Sequence, residues 1–169
     1  MKVENLTIIG SGGAGLSAAL ESKRLGVDPL VLTKTAKDIS KTASAQGGLQ
    51  ASVLADDSPA LHYDDTLKAG NFKANPKLVE ILTNSAVDAV CWLESIGVEF
   101  DRADSGEFKV SMAGGISKPR VLSCGDSAGE RILKPLLDSA ISNDIRITEE
   151  AAVRPVSYTH LTLPTTPYV

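Results

Sequence analysis

Aromatic residues make up only 4% of this 169-residue chain, and it holds two cysteines and two histidines. Cys91 and Cys124 are far apart and match no metal-binding spacing. Two isolated thiols without a disulfide framework suit a reducing cytoplasm. With only His62 and His160 available, a zinc or di-iron centre has too few ligands. No apolar run approaches the ~18–20 residues that a membrane span needs, so direct membrane insertion is not expected. The N-terminus lacks the basic and apolar regions of a secretory signal. A net charge of −4 gives no electrostatic ground for expecting nucleic acid or an anionic membrane as partner. Charge is missing altogether from VSYTHLTLPTTPYV, Val156 to Val169, although 22% of the chain is charged.

What is present starts with a strand. Leu6 to Ile9 (LTII) is apolar and β-branched, which suits a strand buried on both faces. Glycines at Gly10, Gly12 and Gly15 follow as G-x-G-x-x-G. The segment from Ala14 on carries Leu16, Ala19 and Leu20 at helical spacing, and Gly26 is placed to cap the helix. Pro29 to Leu32 (PLVL) reads as a second strand, which completes a βαβ unit with parallel strands. Strand before and helix after are the context in which this glycine pattern binds a dinucleotide. The first glycine permits the tight turn, and the second admits a pyrophosphate close to the backbone. The third allows close helix–strand packing, while the helix N-terminus supplies N–H donors. NAD-binding units place Asp or Glu at the end of the second strand. Thr33 and Lys34 stand there instead, which weakens an NAD reading and leaves FAD open.

From Thr33 to Gly48 the chain is polar and irregular, and a loop of that length inside a domain is usually functional or disordered. Ser58-Pro59 and Asn75-Pro76 each pair a capping residue with proline at the first helical position. The second of these helices shows an apolar face of Val79, Leu82, Ala86, Ala89, Val90 and Leu93, ended by Gly97. Val98–Phe100 and Phe108–Val110 read as a hairpin around Asp104-Ser105-Gly106. A helix is expected over Ala128–Ile141 and a strand over Ile145–Thr148.

GSGGAGLSAAL, LTK, SKTASAQGG, HYDDTLKAG, WLESIGVEFDR, GGISKPR and GDSAG occur in a fixed order. In that order the chain resembles the flavoprotein subunits of fumarate reductase and succinate dehydrogenase, and their relative L-aspartate oxidase, from Lys2 to Arg154. The resemblance implies an α/β fold, a Rossmann-like FAD-binding domain with a parallel sheet. It implies FAD as cofactor and hydride transfer between flavin N5 and a four-carbon dicarboxylate. By position, Gly10, Ser11, Gly12, Gly13, Ala14 and Gly15 would hold the FAD pyrophosphate, and Thr33 and Lys34 would lie by the adenosine ribose. Lys41 to Gly48 would run along the isoalloxazine ring. Ala45, Gly47 and Gly48 would let backbone approach it, and Thr42, Ser44 and Gln46 would bond its polar edge. Val153 matches a strand whose backbone meets the adenine.

Two departures bear on the activity. Respiratory members carry S-H-T, whose histidine bonds covalently to the flavin. Ser40-Lys41-Thr42 stands here, which implies non-covalent FAD and shifts the balance toward fumarate reduction or aspartate oxidation. L-aspartate oxidases usually have histidine after the paired glycines, where this chain has Ile116. The resemblance gives His62, near Asp64 and Asp65, a structural or FAD-supporting role. It puts Arg120 and Asp126 near the domain surface, positioning loops around the ring. Cys91 and Trp92 read as packing, and Cys124 as unreactive.

The family's substrate contacts and its proton-shuttling arginine lie mostly on a capping domain further along the chain, so no catalytic residue is assigned. The expected organisation is a partial FAD-binding domain over 1–155, cut before that cap. Residues 156–169 read as the translation of a transposase-based sequencing adapter, whose codons yield Val156 to Thr165 in order. The parent would be a cytoplasmic FAD-dependent oxidoreductase, held at the inner membrane face through partners that include an iron–sulfur subunit. L-aspartate oxidase is the alternative. For the chain as it stands the alternative is a non-catalytic FAD-binding module.

Overall fold

The computed structural model describes residues 6–153. Residues 156–169, read above as an adapter translation, lie outside them. In chain order the elements are β1 Leu6–Ile9, α1 Gly13–Arg24, β2 Pro29–Leu32, β3 Leu49–Gln50, α2 Pro59–Ala69, α3 Pro76–Ser95, β4 Val110–Ser111, β5 Val121–Leu122, α4 Ala128–Ser142 and β6 Arg146–Thr148. The described residues form two compact units, 6–43 with 136–153, and 44–135.

The first unit is the expected βαβ start. Its sheet has the order β1-β2-β6, parallel throughout, with Leu6 opposite Pro29 and Leu30 opposite Arg146. Leu16 and Ala19 of α1 and Val31 of β2 are fully buried, which places the core between helix and sheet. Basic Lys23 and Arg24 close α1, where cations oppose the helix dipole. Gly26 follows with φ +80, a conformation that glycine adopts without strain. One expectation fails. β1 is not buried on both faces, because Leu6 and Ile9 are 37% and 43% exposed. Among the described residues β1 is the sheet's edge, whereas β2 has a neighbour on each side.

The second unit contains the helix pair α2 and α3 and an antiparallel sheet of order β3-β5-β4. Ser58 and Asn75 cap the two helices as the sequence suggests: Ser58 Oγ accepts from Leu61 N at 3.2 Å and Asn75 Oδ1 from Lys77 N at 3.0 Å. The buried face of α3 is Val79, Thr83, Ala86, Val90 and Leu93. Leu82 and Ala89, expected on that face, are exposed, since Thr83 takes the inward position between Val79 and Ala86. Cys91 is likewise exposed and does not pack.

The hairpin is only partly as expected. Val98–Phe100 forms no strand; a single bridge joins Arg102 and Phe108, and β4 pairs with β5 instead. Packing holds the turn. Phe100 and Phe108 meet edge to face at 6.3 Å, and the Arg102 guanidinium lies 4.2 Å from the Phe108 ring centre. Gly106, at φ +87, makes the reversal.

Candidate functional site

In the first unit a cleft of about 590 Å³ opens where β1 and β2 end and α1 begins. Its walls include Gly10 to Gly15, Thr33, Lys34, Lys41, Thr42 and Val153, so every cofactor residue expected from the sequence falls together here except Ser44 to Gly48. Among the described residues, two lysines line the cleft and no Asp or Glu does. That is the electrostatics of an anion site.

The glycine turn builds its floor. Gly10 sits at φ +103, and its amide is tied to Leu32 O at 2.7 Å, which fixes the turn against β2. A Cβ on Gly15 would land on the carbonyl of Gly10. Only glycine lets the helix start so close under the turn. The first four amides of a helix have no intrahelical acceptor, and no acidic side chain occupies the first turn of α1. Ser11 is 2% exposed and its Oγ has no hydrogen-bond partner among the described residues. A buried hydroxyl of this kind costs free energy unless something bonds it.

Gly12 is the N-cap of α1 and has no side chain with which to cap. The cap comes from Thr42, whose Oγ1 accepts from Gly13 N at 3.0 Å across 29 positions of sequence. Ser40 Oγ accepts from Ala43 N at 3.1 Å, so the Ser40–Ala43 turn holds Thr42 in place. The resemblance sets Thr42 at the polar edge of the flavin ring; in the structure its hydroxyl stands at the helix N-terminus.

On the other side Thr33 is buried, and its backbone bridges two segments: Thr33 N donates to Thr148 O and Ala151 N to Thr33 O, each at 2.9 Å. Lys34 is exposed at the rim. Val153 lines the cleft but lies beyond β6 in irregular chain, not in a strand. Thr35, Ile39, Ser40, Ala151 and Ala152 also line it, and the sequence reading misses them. The first three carry a usable signal, since they share the irregular segment that begins at Thr33. Ala151 and Ala152 have no side-chain signal.

The remaining expected residues, Ser44, Ala45, Gln46, Gly47 and Gly48, belong to the second unit. Ala45 O accepts from Gly129 N at 2.9 Å. A Cβ on Gly48 would land on Leu122 O of β5, so the small residue here serves strand packing. Gly47 has open space around it.

The second unit also buries a charged cluster. Arg120 is fully buried, with Nε and Nη2 donating to Asp57 at 2.8 Å each and Nη1 to Asp65 at 2.6 Å. This corrects the expectation of a surface role for Arg120. Asp65 also accepts from the amide and hydroxyl of Ser117, both at 2.7 Å. Burial pushes its pKa upward, but these bonds and the guanidinium prevail and hold it at about 2. His62 is buried with Nδ1 unpartnered, and burial, aided by Arg120, lowers its pKa. Burial raises that of Cys124, leaving a protonated thiol. Among the described residues no cluster could hold a metal ion, and no helix is long and apolar enough to cross a membrane.

The chain matches the family described as FAD binding domain over residues 5–160. It is 35% identical over 153 residues to a fumarate reductase (CoM/CoB) chain of Methanothermobacter marburgensis, covering 88% of this chain and 28% of that one. It is 35% identical over 150 residues to the L-aspartate oxidase of Streptomyces coelicolor, covering 88% and 26%. Mycobacterium smegmatis Sdh1, solved in complex with UQ1, superposes with a TM-score of 0.80 at 31% identity, covering 87% and 28%. The chain thus spans little more than a quarter of the length of these relatives. It belongs to the FAD binding domain family, and the fumarate reductase, L-aspartate oxidase and Sdh1 chains are what it is similar to.

Proposed function

We propose that the cleft of the first unit holds the diphosphate and adenosine of FAD. The carrying observation is the buried hydroxyl of Ser11 beside the N-terminus of α1, unpartnered among the described residues, in a cleft whose described lining holds two lysines and no carboxylate. Gly10 to Gly15 hold the diphosphate through amides and the Ser11 hydroxyl. Thr33 and Lys34 flank the ribose, and Val153 the adenine. Among the described residues lining the cleft, no acidic side chain stands ready for a nicotinamide dinucleotide's ribose hydroxyls.

When bound, the flavin supplies hydride chemistry. Lys41, Ser44, Ala45, Gln46, Gly47 and Gly48 are assigned to its ring side on the strength of the resemblance. With Lys41 at the position of the linking histidine, the FAD is held non-covalently. The whole protein transfers hydride between this flavin and a four-carbon dicarboxylate, as a fumarate reductase or succinate dehydrogenase flavoprotein with an iron–sulfur partner. Similarity to the Streptomyces coelicolor enzyme favours L-aspartate oxidation as the second reading. This chain, spanning about a quarter of such proteins, is the FAD-binding part and not the catalyst.

The purified chain should bind FAD, release all of it into the supernatant on acid precipitation, and fail to oxidise a reduced dye with fumarate. Binding of NAD in preference to FAD would overturn the cofactor; yellow precipitated protein would overturn the non-covalent mode. Turnover would overturn the division between binding part and catalyst.

A further inference from the structure

We propose that Thr42 is a relay between α1 and the diphosphate: it accepts the helix's first amide and passes a hydrogen bond on to a phosphate oxygen. The inference rests on the flavin reading and assigns Thr42 to the diphosphate, away from the ring edge.

Helix α1 has no cap of its own. A helix N-cap usually supplies a side-chain oxygen to an early amide, and Gly12 cannot. Thr42 does so from the neighbouring loop, with Gly13 N donating to Oγ1 at 3.0 Å. A hydroxyl has one proton and two acceptor lone pairs. Accepting from Gly13 leaves the proton, and it finds no acceptor among the described residues. Thr42 lines the same cleft as Ser11, whose buried hydroxyl is also unpartnered. Two O–H donors therefore stand at the positive end of α1, and a diphosphate is the part of a dinucleotide with oxygens to meet them. Gly13 N–H polarises the Thr42 hydroxyl, which makes it a stronger donor toward an anion.

Position in the loop supports the same role. Oγ1 of Thr42 lies 3.3 Å from where a Gly12 Cβ would stand, and the Thr42 side chain is 3.4 Å from where a Gly13 Cβ would stand. The absence of side chains at Gly12 and Gly13 is what admits Thr42 to the helix end. Serine could make the same pair of hydrogen bonds; valine keeps the shape and can make neither.

The test titrates the 169-residue chain with FAD, ADP and riboflavin, which separate diphosphate from ring. Thr42→Val should weaken FAD and ADP about tenfold to a hundredfold, the worth of one hydrogen bond to a charged group, and leave riboflavin within about twofold. Thr42→Ser should stay near wild type for all three. Equal loss of riboflavin would return Thr42 to the ring, and undiminished FAD binding by the valine variant would remove its role. A serine variant as weak as valine would mean that only the methyl matters, against the relay. Because the valine variant could lose its fold, the wild-type chain gives a second measurement. On ADP addition the Ala14 and Gly15 amide resonances should move more than that of Gly13. A larger shift at Gly13 would mean that phosphate displaces Thr42, again against the relay. Failure of the wild-type chain to bind either FAD or ADP would instead overturn the flavin reading, and this role with it.

Discussion

Arg120 Nη1 donates to Asp65 Oδ2 at 2.6 Å with both side chains buried, 55 positions apart in sequence. The same guanidinium takes Asp57 through its Nε–Nη2 edge, so one cation holds two carboxylates. Removing one partner from such a set leaves uncompensated buried charge, at about 3–5 kcal/mol, whereas replacing the whole set with apolar groups is often neutral. Arg120→Met should lower the unfolding free energy by about that amount in urea melts. Combining it with Asp57→Leu and Asp65→Leu should recover most of the loss. A triple variant no more stable than Arg120→Met alone would show that shape, not charge, is what the site requires.

His62 makes the stability depend on pH in the range where carboxylates do not. Its folded pKa lies below the ordinary histidine value because burial, and then Arg120, disfavour the imidazolium; Asp57 and Asp65 pull the other way and are outweighed. Between the folded and unfolded pKa values the unfolded chain binds the extra proton. Stability is therefore complete above pH ~6.5 and falls as pH drops below it. Asp65, held at about 2, adds a second loss as pH falls from ~4 toward 2. Thermal midpoints should decline from about pH 7 to 5, and His62→Gln should flatten that decline without altering the loss below about pH 4.

Helix capping in the second unit is local enough to test singly. Ser58→Ala and Asn75→Ala should each cost about 1 kcal/mol by denaturant unfolding. Ser58→Thr should cost less, because a hydroxyl remains for the Leu61 amide.

Local signals in this sequence are legible, and pairings at a distance are not. Gly10 to Gly15, the apolar runs beside them and the two proline-led helix starts each announce a structure within a few residues. Most of the cleft in the first unit follows from them. The partner of β4 is misread because Val98–Phe100 has the composition of a strand, while nothing local shows that Val110 pairs with Leu122 instead. Arg120 misleads for the same reason. The resemblance sets it near the domain surface, and no local signal shows that the fold brings Asp57 and Asp65 to it. The resemblance points Thr42 to the ring, and only the geometry reveals the helix end it caps. Gly48 resembles a residue kept small for a ligand, yet the backbone of β5 is what excludes its side chain.

The glycines of the turn should separate in their effects, because what a side chain would meet differs at each. At Gly15 it meets the carbonyl of Gly10, backbone against backbone, which no rotamer change relieves. Overpacking of this kind costs about 1–3 kcal/mol or more, and relief would require α1 to move away from β1. Gly15→Ala should therefore lose both stability and FAD binding. At Gly12 the nearest atom is Thr42 Oγ1, 3.3 Å away, at the end of a side chain that can turn aside. Gly12→Ala should keep its fold, within about 1 kcal/mol of wild type, and lose affinity for FAD as the new methyl displaces Thr42 and fills the cleft floor. Urea melts and FAD titrations of the two variants check this. Equal destabilisation in both would mean that the turn responds as one rigid piece, and that the contact at Gly10 is not what sets the requirement at Gly15.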